Sequence, residues 1–227
     1  MAGGSSASHA PASTGSIGGG GGSRVHVSKT LTYYLRHNAD KAGLHMDEEG
    51  YVAVDELQTL RALRTVTVDE MQDITRTCSK QRFAMRQVDG RWFIRANQGH
   101  SLASVSAEAM MARISDPAAH PIVVHGTTRA AWASIRSTGL NRMTRQHVHF
   151  AQGLPGQDHV VSGMRSSSQI MIYLNLPRAL ADGLPFFLST NGVILSPGVG
   201  TTGTVPMEYF ARVVDSFSGE QIYPAST

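Results

Sequence analysis

The hydrophobic pattern of this chain changes character three times. Residues 1–23 are dominated by Gly, Ser and Ala, with an unbroken run from Gly18 to Gly22. So few apolar side chains cannot offset ordering entropy, which predicts a disordered tail and order beginning near Val25. Val27, Leu31, Tyr34 and Leu35 then recur at helical spacing and predict a helix over 27–38, with Arg36 about half a turn from the buried stripe and His37 on its flank. Glu49-Gly50 marks a turn before a short apolar strand over 51–54. Asp55 is placed to cap a helix over 56–64, and Val68, Met71 and Ile74 line one side of a helix over 68–78. The clearest local signal is a hairpin, with strands over 82–88 and 91–95 around the turn Asp89-Gly90. Beyond residue 121 the pattern becomes short strands over 122–124, 146–150, 169–174 and 192–195. One helix over 130–138 interrupts them and is closed by Gly139-Leu140.

These elements predict an α+β protein of two lobes. Short helices followed by a two-stranded ribbon suggest a winged-helix-like unit over 24–105. An Ala/Ser-rich stretch over 106–121 containing Asp116-Pro117 is expected as a linker, 122–215 as the second lobe and 216–227 as a C-terminal tail. The 227 residues, 41% hydrophobic, suffice for a real core, and a net charge of +3 is too small for a polybasic nucleic-acid binder. The single Cys78 excludes an intramolecular disulfide and a Cys-based zinc site. Without a signal peptide or a spanning apolar run, the chain is expected to be cytoplasmic or nuclear.

Charge narrows the chemistry. There are 17 Arg but only 3 Lys, a skew that fits oxyanion binding and equally fits a GC-biased genome. From Pro117 to Gln157 there is no Asp or Glu, yet Arg129, Arg136, Arg142, Arg145, His120, His125, His147 and His149 all fall there. Such a stretch suits an anion better than it suits carboxylate-based catalysis. Strand alternation places Val148 and Phe150 on one face, with Arg145, His147 and His149 on the other. The hairpin likewise places Phe83, Met85, Trp92 and Ile94 against Arg82, Arg86, Arg91 and Arg95; that basic face either meets RNA phosphates or is simply solvated. Arg129 and Arg136 on the 130–138 helix are expected to be solvated. The small residues around Gln98, Gly99, His100 and Ser101 permit close backbone approach to a ligand. His125-Gly126-Thr127, ahead of a helix N-terminus, has the same logic. A zinc site built on His125, His147 and His149 lacks a nearby carboxylate to orient its ligands, so no metal is expected. No Gly-x-Ser-x-Gly turn or Walker loop occurs.

Leu35-Arg36-His37, Lys80 to Phe83, Ile94 to Ser101, His125-Gly126-Thr127, Arg145 to Phe150 and Pro185 to Val193 together resemble the tRNA 2'-phosphotransferase family in order and spacing. The resemblance runs from about Val27 to Val214. It implies an RNA lobe followed by an ADP-ribosyltransferase-like NAD lobe, with NAD as co-substrate and a tRNA or other RNA bearing an internal 2'-phosphate as partner. The implied reaction moves that phosphate to NAD, leaving a free 2'-hydroxyl, nicotinamide and ADP-ribose cyclic phosphate. Arg36, His37, Arg82 and Arg145 map onto the family's essential set. His125, Gly126, Thr127, His149, Arg165, Phe186, Asn191 and Gly192 are implied cofactor contacts, and Arg95, Gln98, Gly99 and His100 the RNA or product side. Met164-Arg165-Ser166-Ser167 matches more loosely. Many protein-modifying relatives of the second lobe use a catalytic Glu in the late strands; here the candidate is Glu208, beyond the Asn191-Gly192-Val193 motif and expected on the surface, so protein modification is not expected. ADP-ribosylation of terminal RNA or DNA phosphates is the alternative outcome of the same chemistry. No membrane or obligate protein partner is expected, and the protein is expected to be a monomer.

Overall fold

The computed structural model describes residues 20–102, 111–157, 160 and 163–224. The first helix, α1 (Gly20–Tyr33), begins in the glycine run rather than near Val25 and continues as a π-helical turn over Tyr34–Asn38. The remainder of the expected tail lies outside the described residues. Val27, Leu31 and Leu35 are buried, as their spacing requires. Next come β1 (Val52–Ala53), α2 (Val54–Thr59) and α3 (Val68–Thr77). Helix α2 stops five residues short of expectation, with Leu60 in an extended conformation, and Ala53 rather than Asp55 precedes it. Asp55 is instead held by Arg91, with both oxygens accepting at 2.8 Å. A capping box between Thr67 and Glu70 starts α3 and satisfies two orphan amides.

The hairpin forms as its pattern dictates, from β2 (Phe83–Val88) and β3 (Arg91–Ala96). Asp89 and Gly90, at φ 49° and 81°, make the left-handed two-residue turn. β1 adds to β3, giving a sheet of order β1-β3-β2. Phe83 and Ile94 are buried in one hydrophobic cluster with the helices, and Met85 and Trp92 pack against it.

The second half supplies β4 (Ala112–Arg113), β5 (Val124–Thr127), α4 (Arg129–Thr138), β6 (Leu140–Asn141), β7 (Val148–Phe150) and β8 (Ile170–Leu174). It continues with α5 (Leu176–Ala181), β9 (Phe187–Leu188), β10 (Ile194–Ser196), β11 (Thr204–Val205), β12 (Phe210–Asp215) and β13 (Gln221–Tyr223). Two four-stranded antiparallel sheets, β4-β9-β10-β7 and β13-β12-β8-β5, share a second hydrophobic cluster that includes Phe150, Ile172, Ile194 and Val213. The architecture is therefore α+β. Two expected boundaries shift. Residues 112–113, expected in the linker, pair with β9, and Ile114 is buried in the second cluster. Residues 221–223, expected in a tail, pair with β12. Both strands are too short for sequence periodicity to register. Among the described residues no helix is long and apolar enough to cross a membrane.

Trp132 and Ile135 of α4 pack against the second cluster, and the Gly139 N–H closes the helix on the Ile135 carbonyl at 2.8 Å. Its first residue is anchored as well: Arg129 donates Nε and Nη2 to the two oxygens of Asp215 at 2.7 and 2.9 Å. Arg129, together with the Phe217 amide, holds the Asp215 carboxyl at about 2, against an ordinary 3.8. A depressed carboxyl pKa stabilises the fold above the unfolded value and loses that effect as pH falls through the folded one. Asp215→Asn should therefore lower the thermal midpoint at pH 7. In melts taken across pH, the gap to the unsubstituted protein should close between about pH 4 and pH 2.

Candidate active site

A cavity of about 500 Å³ lies where the two halves of the chain meet. The first half brings Arg36, Lys80, Arg82 and Gln98 to it. The second brings His125, Gly126, Thr127, Arg145, His149 and Arg165, with Ser167 and Ser168 completing the rim. None of its described wall residues is acidic.

Arg36 and His37 belong to the π-helical turn after α1, a local geometry found disproportionately at functional sites. Leu35 and Arg36, adjacent in sequence, are both buried there. The loop after β3 cradles the pair. The Ser101 amide donates to the Arg36 carbonyl at 2.9 Å, and the Ser101 hydroxyl lies 3.0 Å from His37 Nδ1. Gly99, at φ 87°, lies so close that a Cβ there would approach the Arg36 guanidinium to 3.3 Å. Only glycine meets both conditions without strain. His100 is buried beneath the site with neither ring nitrogen hydrogen-bonded, and burial first, then Arg36 and Arg95, push its pKa down to about 3.

Arg82 enters from the turn before β2, where Gln81 sits at φ 42°, and donates Nη1 to Cys78 Sγ at 3.3 Å. Asn97 Nδ2 donates to the Gln81 carbonyl at 2.7 Å, and Asn191 Nδ2, from the other half of the chain, to the Lys80 carbonyl at 3.1 Å. Across the junction, His149 Nε2 and Gln98 Oε1 are 2.8 Å apart, and the Gln146 amide donates to the His100 carbonyl at 3.1 Å.

His125-Gly126-Thr127 makes up the last three residues of β5, which pairs with β8. A Cβ on Gly126 would collide with the side chains of Met164 and Ser168, so glycine is what admits the 163–168 segment. His125 Nδ1 lies 2.8 Å from the His149 carbonyl, which fixes the proton on Nδ1 of the neutral ring. Thr128 caps α4 through the Ala131 amide at 3.1 Å, and both residues line the cavity.

The electrostatics follow from crowding. Burial, then Arg145 and Arg82, lower the Arg36 pKa from 12.5 to about 10. His149 is held well below its ordinary value by burial and then by Arg145 and Arg36. For His125 burial is again the main cause, partly opposed by its bond to His149. His37 is lowered by partial burial, then Arg36 and Arg145. The cavity thus combines fixed guanidinium charge with neutral imidazoles, an arrangement that an entering anion relieves.

The remaining expected residues fall elsewhere. Phe186 is fully buried against the Phe150 ring, so its side chain belongs to the core and not to the cavity wall. Asn191 and Gly192 stand behind the cavity: Asn191 supports the Lys80 turn, and the Gly192 carbonyl accepts from Gln152 Nε2 at 2.9 Å. Arg95 stacks on Tyr51, with its guanidinium 4.8 Å from the ring centroid, and donates to the Glu49 carbonyl. That packing withholds it from the expected RNA or product side. His147 is buried edge-on to Phe187. The 146–150 segment is covered on both faces, so simple alternation does not describe it. Lys80, Thr128, Ser167 and Ser168 were not among the expected site residues; Lys80 and Ser167 stood in family-like strings, two residues before Arg82 and two after Arg165, whereas Thr128 and Ser168 carried no such signal.

The crowding makes a testable statement about His37. Removing one of the two arginine charges that depress it should raise its pKa, so the imidazole resonances of His37 in Arg145→Ala should titrate at higher pH than in the unsubstituted protein. An unchanged midpoint would show that Arg145 does not act on His37.

Residues 22–198 match the family model described as RNA 2'-phosphotransferase, Tpt1 / KptA family. The chain is 46% identical over 193 residues to tRNA 2'-phosphotransferase 1 of Bos taurus, covering 84% of this chain and 75% of that one. It is 42% identical over 190 residues to tRNA 2'-phosphotransferase 1 of Danio rerio, with 83% and 84% covered. Against the tRNA 2'-phosphotransferase of Saccharomyces cerevisiae the identity is 35% over 198 residues, with 84% and 83% covered. With a basic cavity assembled from both halves of the chain and likeness over most of its length, the protein belongs to the RNA 2'-phosphotransferase family.

Proposed function

We propose that this protein removes the splice-junction 2'-phosphate from ligated tRNA by transferring it to NAD. The observation that carries this reading is the convergence of Arg36, Arg82 and Arg145 on one cavity whose described walls hold no carboxylate. Guanidinium groups match phosphate oxygens in geometry and charge, and three of them can hold a phosphate through a displacement at carbon and a displacement at phosphorus. Both steps redistribute negative charge rather than build it, so fixed positive charge and positioning supply most of the catalysis.

NAD, when bound, supplies the electrophilic ribose carbon and loses nicotinamide. The residues that suit it are Thr127 and Thr128 at the N-terminus of α4, which favours a pyrophosphate, with His125, Gly126, His149 and Arg165 around them. His37 orients the phosphate and delivers a proton to the departing RNA 2'-oxygen. It is neutral before substrate arrives; an incoming phosphate offsets the fields of Arg36 and Arg145 and raises its pKa, so protonation accompanies binding. We further assign α1–α3 with β1–β3 as a winged-helix-like RNA lobe and the second half as an ADP-ribosyltransferase-like NAD lobe. The helices beside a ribbon and the antiparallel sheets around the cavity support this. Glu208 is exposed and lies outside the cavity wall, in keeping with a phosphate rather than a protein as acceptor.

Incubation with NAD and an oligonucleotide carrying one internal 2'-phosphate should release nicotinamide and ADP-ribose cyclic phosphate. An intact 2'-phosphate after prolonged incubation would refute the reading, and stable ADP-ribosylated RNA or DNA ends as the main product would favour terminal-phosphate modification. Arg82→Ala and Arg145→Ala should each lower turnover at least tenfold, about 1.4 kcal/mol of transition-state stabilisation. Arg129→Ala should leave turnover nearly unchanged, because that guanidinium is committed to Asp215. Equal losses from all three would indicate a diffuse basic surface.

A further inference from the structure

A second cleft, of about 440 Å³, runs between α1 and the C-terminal end of α3 and shares Arg82 as a wall with the cavity described above. Nothing in the proposed chemistry uses it. Val25, Lys29 and Thr32 line it from α1, and the π-helical turn that continues α1 carries Arg36 to the phosphate site. The opposite wall, from Ile74 and Thr77, leads through the Cys78–Arg82 turn to the same place. The two spaces are therefore neighbours, with Arg82 as their common wall.

The cleft also has the chemistry of a nucleotide site. Val25, 57% exposed, offers an apolar surface, and the buried Ile74 lies at the cleft's floor. Its charge is positive: Asp73, the carboxylate beside it, is bonded to both Arg24 and Arg76, while Lys29 and Arg82 add further cations to the wall. Its volume lies in the range of about 300–1,000 Å³ typical of small-ligand sites. A ligand that fills the phosphate pocket and continues past Arg82 must be a chain, and the chain this protein meets is its RNA.

We propose that this cleft binds the nucleotide adjoining the 2'-phosphorylated one, its base against Val25 and Ile74 and its backbone phosphate at Lys29. The assignment rests on the 2'-phosphate reading of the cavity. It makes the enzyme a reader of a dinucleotide step rather than of an isolated phosphate. Lys29 and Val25 are then specificity residues that touch the substrate away from the reacting atoms.

Binding separates the two ideas without requiring turnover. Two probes are used: a nucleoside 2'-phosphate and a trinucleotide with the 2'-phosphate on its central residue. The unsubstituted protein should bind the trinucleotide at least tenfold more tightly. Lys29→Glu and Val25→Asp, both at exposed positions, should weaken the trinucleotide at least fivefold more than the nucleoside 2'-phosphate. Lys29→Ala should reduce the slope of log affinity against log salt by about 0.7, the share of one single-strand phosphate contact. Arg136→Glu, exposed on α4, is the control for general charge loss. Trinucleotide affinity unchanged in both cleft variants, or weakened equally for both probes or equally in the control, would overturn the cleft assignment. A protein that binds the two probes equally would overturn the cleft and leave the 2'-phosphate reading standing, whereas binding neither would overturn both.

Discussion

The mutual repulsion of Arg36, Arg82 and Arg145 is the constraint around which the site is built. Burial, and then the charges of Arg145 and Arg82, depress the Arg36 pKa, and no described wall residue of the cavity is a carboxylate that could neutralise them. Such a cluster is unfavourable without a ligand and must be held by the surrounding structure. Hydrogen bonds to the backbone do much of the holding: Ser101 to the Arg36 carbonyl, Asn97 to the Gln81 carbonyl, Asn191 to the Lys80 carbonyl. In the proposed reaction an incoming phosphate would meet cations already held in place, which favours binding with little reorganisation.

The arginines of the hairpin show how the same residue type is assigned different work. Arg86 pairs with Asp47 and Glu49, Arg91 with Asp55 and Glu56, and Arg95 packs on Tyr51 beside Glu49. These three are occupied by neighbours in the first half of the chain. Arg82, on the same alternating face but just before β2, faces the junction and meets a thiol instead of a carboxylate. Charge of this ribbon is therefore largely spent on the fold, and Arg82 is the arginine of that face left at the junction.

The histidines complement this arrangement by being uncharged. Burial keeps His125 and His149 neutral, and their hydrogen bonds to a carbonyl and to Gln98 set which nitrogen carries the proton. His37 is more exposed than either, which suits the proton-transfer role proposed for it.

Local physics made several elements legible in the sequence. Helical spacing of Val27, Leu31 and Leu35, the Asp89-Gly90 turn and the Gly139 cap each depend on neighbours a few residues away, and each formed as read. The alternating faces of the hairpin were legible too, but their meaning was not: whether Arg86 or Arg82 is free depends on Asp47, Glu49 and the junction, which lie far off in sequence. Alternation also misjudged the segment around His147 and His149, because the loop after β3 and Phe187 cover its second face. The very short strands at 112–113 and 221–223 carry no periodic signal and exist only through their partners. By itself the sequence determined the residue types, the local elements and the shortage of acid that makes an anion site possible. Tertiary structure decided which cations remain unpaired, since pairing is a matter of distance between side chains that the folded chain alone brings together.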